Sequence, residues 1–346
     1  MFNDIICQKQ GPLGRITLNR PQNLNALSHK MALEIERFLR ECARDDAITA
    51  VLVDAKEDKA FCAGGDLLPF YEQKAKGDFA SGQTFWQDEY RLNDLIDRFS
   101  KPYIVIMKGF VMGGGVGIAV HGSHRIVTDT TKLSLPECSI GLIPDIGSNY
   151  YLAKAPHHLG EFIGLSGHRL NAADAIYSGM ADIYVPSENI PNLVEKLIET
   201  GNADIISEFS EPTEPSKLTG IATDIDTVFG QDDLSTIIKT ALSSDNEIIQ
   251  KTGELIARNS PLALQVAITT LRNIRQNLSV RAALVAEYRF TSRVVEHGDF
   301  VEGIRATIVD KDKSPKWNYA NINDVPEHIV DLFTSEPEAG DLTFSD

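Results

Sequence analysis

Cysteine is scarce in this 346-residue chain: there are four, Cys7, Cys42, Cys62 and Cys138, with no CxxC pair. That excludes a disulfide-stapled secreted scaffold and reads as reduced thiols. Positive charge is also in deficit. Lys and Arg total 33 against 49 Asp and Glu, a formal charge of -16, which argues against nucleic acid or an anionic membrane as a partner. No stretch approaches the ~18 apolar residues of a membrane span. The N-terminus shows no basic patch ahead of an apolar stretch and no Arg/Ser-rich leader, so the cytoplasm is the expected compartment.

Several catalytic signatures are absent too. There is no GxxxxGK followed by Ser or Thr, no GxSxG elbow and no HExxH. The run Gly113 to Gly117 is not a GxGxxG fingerprint, because Ile118 and Val120 stand where its third glycine should fall. His121 and His124 form an HxxH that reads as solvated or core histidines, and no metal is expected.

What is present is a chain with 42% hydrophobic residues, long enough for a large core. Alternation at Ile16 and Leu18 and the apolar run Ala50 to Ala55 predict two strands. Between them, Ser28 is a candidate helix cap, and Met31, Ile35, Phe38, Leu39 and Cys42 fall on one helical face. A second cycle follows, with a helix near Phe85 to Phe99 and a buried strand at Ile104 to Met107. A glycine-rich turn comes next, then short strands HRIVTD and KLSL. Strands alternating with helices define an α/β core. From Gly147 the pattern turns helical, with Asn171 as a cap, a strand-like Ala181 to Pro186, and helices opening at Ser260-Pro261 and Val280. The expected segments are a catalytic core over 1–200, a polar linker or surface loop over 201–224, and a helical region over 225–325. A solvated acidic tail is expected over 326–346, carrying six acids and no Lys or Arg.

Three features carry chemistry. Ala63-Gly64-Gly65-Asp66 and Met112-Gly113-Gly114-Gly115 each follow an apolar strand. Bare glycine backbone leaves amides open to an anion, and two such runs could supply two N–H donors to one oxyanion; either alone reads rather as a tight turn, and it is the pair in successive units that points to function. The third is the apolar, proline-bracketed segment Pro136 to Gly147, which holds two carboxylates, Glu137 and Asp145. A carboxylate among apolar residues has its proton affinity tuned towards general acid or base work, unless it merely caps a turn.

Four motifs in this order, ITLNRPQNLNAL, KAFCAGGDL, KPYIVIMKGFVMGGGVG and LSLPECSIGLIPDIG, resemble the crotonase (enoyl-CoA hydratase/isomerase) superfamily over about residues 10–190. WQDEYRLN at 86–93, EYRF at 287–290 and DFVEGIRATIVDKDKSPKW at 299–317 extend the likeness. They point to the branch that hydrolyses short branched 3-hydroxyacyl-CoA thioesters, such as 3-hydroxyisobutyryl-CoA in valine breakdown. The resemblance implies a spiral of repeated β-β-α units with a C-terminal helical region, and an acyl-CoA substrate. The coenzyme A is part of that substrate, so no separate cofactor is expected, and oligomeric state is left open, a homo-oligomer included.

By the same resemblance, the thioester oxygen lies between the N–H groups of Gly65 and Gly114. Glu137 is general base or nucleophile, and Asp145 orients water or exchanges its proton. Glu89 contacts the acyl 3-hydroxyl, and Leu24, Ala26, Ala63, Gly65 and Asp66 line the coenzyme A. Two departures stand out. The position of the second hydratase glutamate is Gly117, which disfavours an enoyl-CoA hydratase or isomerase, the alternative activity; many hydratases in turn have glycine where this chain has Asp145. Gln22 stands where related chains often carry lysine, leaving Arg20 as the nearby cation.

Overall fold

The computed structural model describes residues 3–345. The chain forms two compact units interleaved along the sequence. One comprises the chain up to Gly65, Asp88–Ser134 and Arg169–Lys217; the other comprises Asp66–Gln87, Leu135–His168 and the chain from Leu218 onward.

The first unit contains every strand among the described residues. They are β1 (Ile5–Gln10), β2 (Leu13–Leu18), β3 (Ala50–Ala55), β4 (Ala60–Cys62), β5 (Tyr103–Met107), β6 (Phe110–Met112), β7 (His124–Val127), β8 (Lys132–Ser134) and β9 (Ile183–Tyr184). A six-stranded sheet runs β1-β2-β3-β5-β7-β9, and a three-stranded sheet runs β4-β6-β8. Each winding gives one strand to each sheet (β3 and β4, β5 and β6, β7 and β8), which is the expected β-β-α spiral. Every pairing is parallel except β1 with β2. The apolar run Ala50 to Val53 of β3 and the run YIVIM of β5 suit strands covered on both faces. Between β5 and β6 the chain turns at Gly109, φ +64°, where a Cβ would lie 2.3 Å from the Lys59 carbonyl oxygen. Only glycine meets both demands.

The helix His29–Arg44 begins as its sequence predicts. Ser28 Oγ accepts a hydrogen bond from the Met31 N–H at 3.3 Å, and Met31, Ile35, Phe38, Leu39 and Cys42 are buried. Asn171 opens Ala172–Tyr177 with a full capping box. The strand Ile5–Gln10 lies outside the expected elements: its apolar residues do not alternate cleanly, and its place is set by six paired residues of β2.

The second unit is helical. Ser260 and Ser279 cap Pro261–Gln276 and Val280–His297 through the Ala263 and Ala282 N–H groups. Phe70, Phe85, Trp86 and Phe300 form an aromatic cluster in which Phe70 stacks on Trp86 at 4.5 Å between ring centroids.

Two expected boundaries change. Of the expected linker or surface loop over 201–224, residues 210–216 are a mostly exposed loop, but the start is not free: Ala203 and Ile206 are buried in the apolar core under the larger sheet. The Ser216 hydroxyl donates to Asp174. The compact units divide within it, between Lys217 and Leu218. The acidic C-terminus is not a solvated tail either. Glu327–Thr334 is a helix, Phe333 is fully buried with its ring 4.9 Å from that of Phe290, and Asp341 takes two hydrogen bonds from Arg289. Charge counting cannot register one buried aromatic and one ion pair, and these dock the segment. Phe333→Ala is expected to lower stability by about 3 kcal/mol in denaturant unfolding; a change within ~0.5 kcal/mol, the usual range for surface positions, would show the segment undocked.

Candidate active site

Within the strand-bearing unit, the two glycine clusters meet. Gly113, with φ +45°, ends β6 and starts the short helix Gly114–Val120. Gly115 must be glycine because a Cβ there would lie 2.3 Å from the Cys62 carbonyl oxygen, so the helix sits against the end of β4. Gly65 bridges to Leu27, and its backbone nitrogen lies 3.5 Å from where a Cβ on Gly114 would stand. Among the described residues neither the Gly65 N–H nor the Gly114 N–H donates a hydrogen bond. Two unspent backbone donors side by side are the chemistry of an oxyanion site.

Glu89, on the helix Ala80–Asp97, is 3% exposed, and its Oε1 lies 2.7 Å from that same Cβ position over Gly114. Burial, with this carboxylate adding to it, pushes the Cys62 thiol up to about 12. One turn on, Asn93 is fully buried, and neither atom of its amide has a hydrogen-bond partner. Nothing in its local sequence singles it out, although its spacing from Glu89 puts both on one helical face.

The expected coenzyme A loops also interlock here. The Ala63 N–H donates to the Leu24 carbonyl at 3.0 Å and the Leu27 N–H to the Gly64 carbonyl at 2.8 Å. Leu24 and Asn25 hold left-handed backbone. The structure therefore brings Leu24, Ala26, Ala63 and Gly65 together, while Asp66 begins the other unit. Arg20 spends a donor on the Ala26 carbonyl and faces Asp4 at 3.7 Å, and Gln22 is exposed.

Within the helical unit, Glu137 opens the 3-10 turn Glu137–Ile140. Sequence-distant groups hold that turn. The Ser260 N–H donates to the Cys138 carbonyl, and Gly303 lies so close that a Cβ would be 2.1 Å from the Ile140 carbonyl oxygen. Gly141, φ +73°, closes the turn against the Asp299 backbone. Glu137 is 3% exposed and its Oε2 is without a hydrogen-bond partner. Burial first, then the charge of Asp145, hold its carboxyl well above the usual range. Asp145 is 4% exposed, followed by Ile146 and Gly147 in left-handed backbone.

A third acid completes this cluster. Glu287, from the helix Val280–His297, is fully buried, and burial followed by the charge of Asp145 pushes its carboxyl up to about 8. The EYRF motif by itself gives Glu287 no role. The available signal is periodicity: position 287 falls on the buried stripe of Leu284, Thr291 and Val294, where an acid is out of place. Among the described residues no group of His, Cys, Asp or Glu is arranged to hold a metal ion, and no helix is long and apolar enough to cross a membrane.

The winding of paired strands, with donors at the glycine turns and buried carboxyls in the chain that follows, defines a crotonase-type protein. A profile described as Enoyl-CoA hydratase/isomerase matches residues 13–334, and the chain belongs to that family. It is 34% identical to the mitochondrial 3-hydroxyisobutyryl-CoA hydrolase of Danio rerio, over 98% of this chain and 91% of that protein. It is 33% identical to that of Gallus gallus, over 95% and 88%. Among solved structures it is similar to an enoyl-CoA hydratase from Rhodobacter sphaeroides 2.4.1, with TM-score 0.95, 39% identity, and 99% and 100% of the two chains covered.

Glu137 yields a stability test. A carboxyl whose proton affinity rises on folding contributes stability that is present below its unfolded value and is lost as pH rises through the folded one. Glu137→Gln should therefore lose less stability than the wild type as pH rises above the ordinary 4.5. Thermal midpoints taken from mildly acidic to mildly alkaline pH would refute this if the two curves stayed parallel.

Proposed function

We propose that the chain is an acyl-CoA thioester hydrolase that cleaves 3-hydroxyisobutyryl-CoA to 3-hydroxyisobutyrate and coenzyme A, a step of valine breakdown. The observation that carries this reading is the pairing of buried Glu137 with buried Asp145 in a chain whose residue 117 is glycine. The names of the curated relatives support it.

In this reading the thioester oxygen accepts hydrogen bonds from the Gly65 and Gly114 N–H groups. Each donor is worth about 3 kcal/mol once charge develops on that oxygen. Neutral backbone donors also suit a protein of charge -16, since they need no cationic patch. Glu137 acts as base or nucleophile. As a base it takes a proton from water while the water oxygen bonds to the carbonyl carbon; the tetrahedral centre then collapses, the C–S bond breaks, and the proton held by Glu137 passes to the departing sulfur, restoring the carboxylate. A carboxyl with raised proton affinity is a stronger base once ionised, and Asp145 is the neighbour with which it exchanges that proton. Glu89 receives the acyl 3-hydroxyl, and Leu24, Ala26, Ala63, Gly65 and Asp66 line the coenzyme A through backbone groups. The four free cysteines suit a reducing compartment, and we assign the cytoplasm. The Danio rerio and Gallus gallus relatives are mitochondrial by name.

Thiol release from 3-hydroxyisobutyryl-CoA, followed with a disulfide reagent, tests the reaction. The wild type should release free coenzyme A, and Glu137→Gln should reduce kcat by roughly 100-fold or more. Hydration of crotonyl-CoA without thiol release would instead establish the enoyl-CoA hydratase alternative, which the 39%-identical structure keeps in view. Gly114→Ala tests Glu89: its Cβ would meet Glu89 Oε1 at 2.7 Å and displace the carboxylate. The preference in kcat/KM for 3-hydroxyisobutyryl-CoA over isobutyryl-CoA should fall about tenfold, and an unchanged ratio would remove Glu89 from hydroxyl recognition.

A further inference from the structure

The mechanism above uses two buried carboxyls of the helical unit, Glu137 and Asp145, and a third acts on them. Glu287 is the third, and its hydrogen bonds are directed at the segment that carries Asp145. Its Oε2 accepts from the Gly147 N–H at 2.6 Å, and its Oε1 accepts from the Asn149 N–H at 3.2 Å and from Asn149 Nδ2 at 2.9 Å. Asn149 Nδ2 also donates to the Pro144 carbonyl at 2.7 Å. Asp145 thus lies between two clamped points, the carbonyl before it and the N–H two residues after it. The intervening Ile146 and Gly147 have φ of 57° and 76°. Left-handed backbone at isoleucine is strained and persists only where its surroundings impose it; the Glu287 and Asn149 bonds bracket it, as does the Ser148 N–H donating to the Asp145 carbonyl at 2.9 Å.

We propose that Glu287 is a positioning residue of the hydrolytic site, setting the direction of the Asp145 carboxyl by clamping residues 144–149 and adding a third carboxyl to the Glu137–Asp145 pair. This rests on the reading of Glu137 and Asp145 given above. The electrostatic half follows from what surrounds Glu287. The titratable groups acting together there are Asp145, from the turn, and Glu137, from the 3-10 segment. The cations on neighbouring elements are engaged elsewhere. On its own helix, Arg281 lies over Phe344, Arg289 holds Asp341, and Arg293 donates to the Ser335 and Glu336 carbonyls. Lys154 lies over Tyr150, and Arg275 holds Glu161. Arg272 donates to the Asp232 and Gln231 carbonyls, Lys74 to the Val295 and Glu296 carbonyls, and Arg305 pairs with Glu302. Burial and then the charge of Asp145 raise the proton affinity of both Glu137 and Glu287, so the three acids repel one another when ionised and a proton is retained among them near neutral pH.

The test uses the full chain and two variants. Glu287→Gln keeps the shape and one acceptor oxygen but loses the acceptor at Gly147 and can never ionise. Asn149→Ala removes the side-chain link while leaving Glu287 in place. On 3-hydroxyisobutyryl-CoA, both should lose roughly 10- to 100-fold in kcat with KM nearly unchanged, since misplacement of a catalytic group by about 1 Å costs that much. In Glu287→Gln the acid limb of the kcat profile should also move to lower pH, because removal of a like charge eases ionisation of Glu137. A mere packing role would not move that limb. Unchanged kcat and an unmoved limb, in a protein whose wild type hydrolyses the thioester, would overturn the proposal and leave the assigned reaction standing.

A second readout needs no substrate, so it decides the matter even if the wild type releases no thiol and the assigned reaction fails. Glu287 has raised proton affinity, so its contribution to stability is present below 4.5 and lost as pH climbs through about 8. Glu287→Gln should lack that part of the decline in thermal midpoint. Equal pH dependence in wild type and variant would overturn the clamp's electrostatic half, and unaltered hydrogen-exchange protection of the Gly147 and Asn149 amides in Glu287→Gln would overturn its geometric half.

Discussion

A carboxyl group taken out of water is the constraint around which the helical unit is organised. Glu137, Asp145 and Glu287 are between 0% and 4% exposed, and the nearby cations are turned to other partners. Ionising Glu137 or Glu287 costs free energy in proportion to how firmly its neighbours are held, so their proton affinity rises only if the site cannot relax. The packing supplies that rigidity. Gly303 and Gly141 press the 299–303 backbone against the Glu137 turn, Ser260 holds the Cys138 carbonyl, and Asp299 in turn accepts from the Ser260 hydroxyl and the Asn318 N–H. The C-terminal helices thus hold the turn that carries Glu137 and, through Glu287, the backbone that follows Asp145.

The strand-bearing unit offers the opposite chemistry, two backbone N–H donors side by side without a positive side chain. Parallel strands end in glycine turns, and glycine leaves the amide uncovered. Because each winding adds one strand to each sheet, the turn after β4 and the turn after β6 fall beside one another. Gly115 against Cys62 and Gly114 against Glu89 both leave no room for a Cβ. The same sterics that fix the helix onto the smaller sheet therefore keep the Gly114 amide open.

Much of this is legible in the residues and their spacing. Ser28, Asn171 and Ser260 cap the helices that their positions predict, and the β-β-α spiral follows from motifs in a fixed order. Gly65 and Gly114 lie side by side, and Glu137 and Asp145 are buried and act on one another. The features that composition and periodicity miss depend on contacts across long stretches of chain. The region after Gly201 looks like a linker by composition, and two of its apolar residues finish a core begun at Leu13. The C-terminus looks like a charged tail, and Phe333 docks it.

The sequence by itself determined whatever acts over a few residues: helix period, caps, turns that only glycine can make, the deficit of positive charge, and two acids eight residues apart in an apolar segment. These are local because backbone sterics and side-chain-to-backbone hydrogen bonds reach about one helical turn. Only the tertiary structure decided that Glu287, separated from Gly147 by 140 residues, is the third acid of that group. No local preference encodes that contact; it exists because the helix Val280–His297 turns its buried stripe, one carboxyl included, onto the segment that holds Asp145.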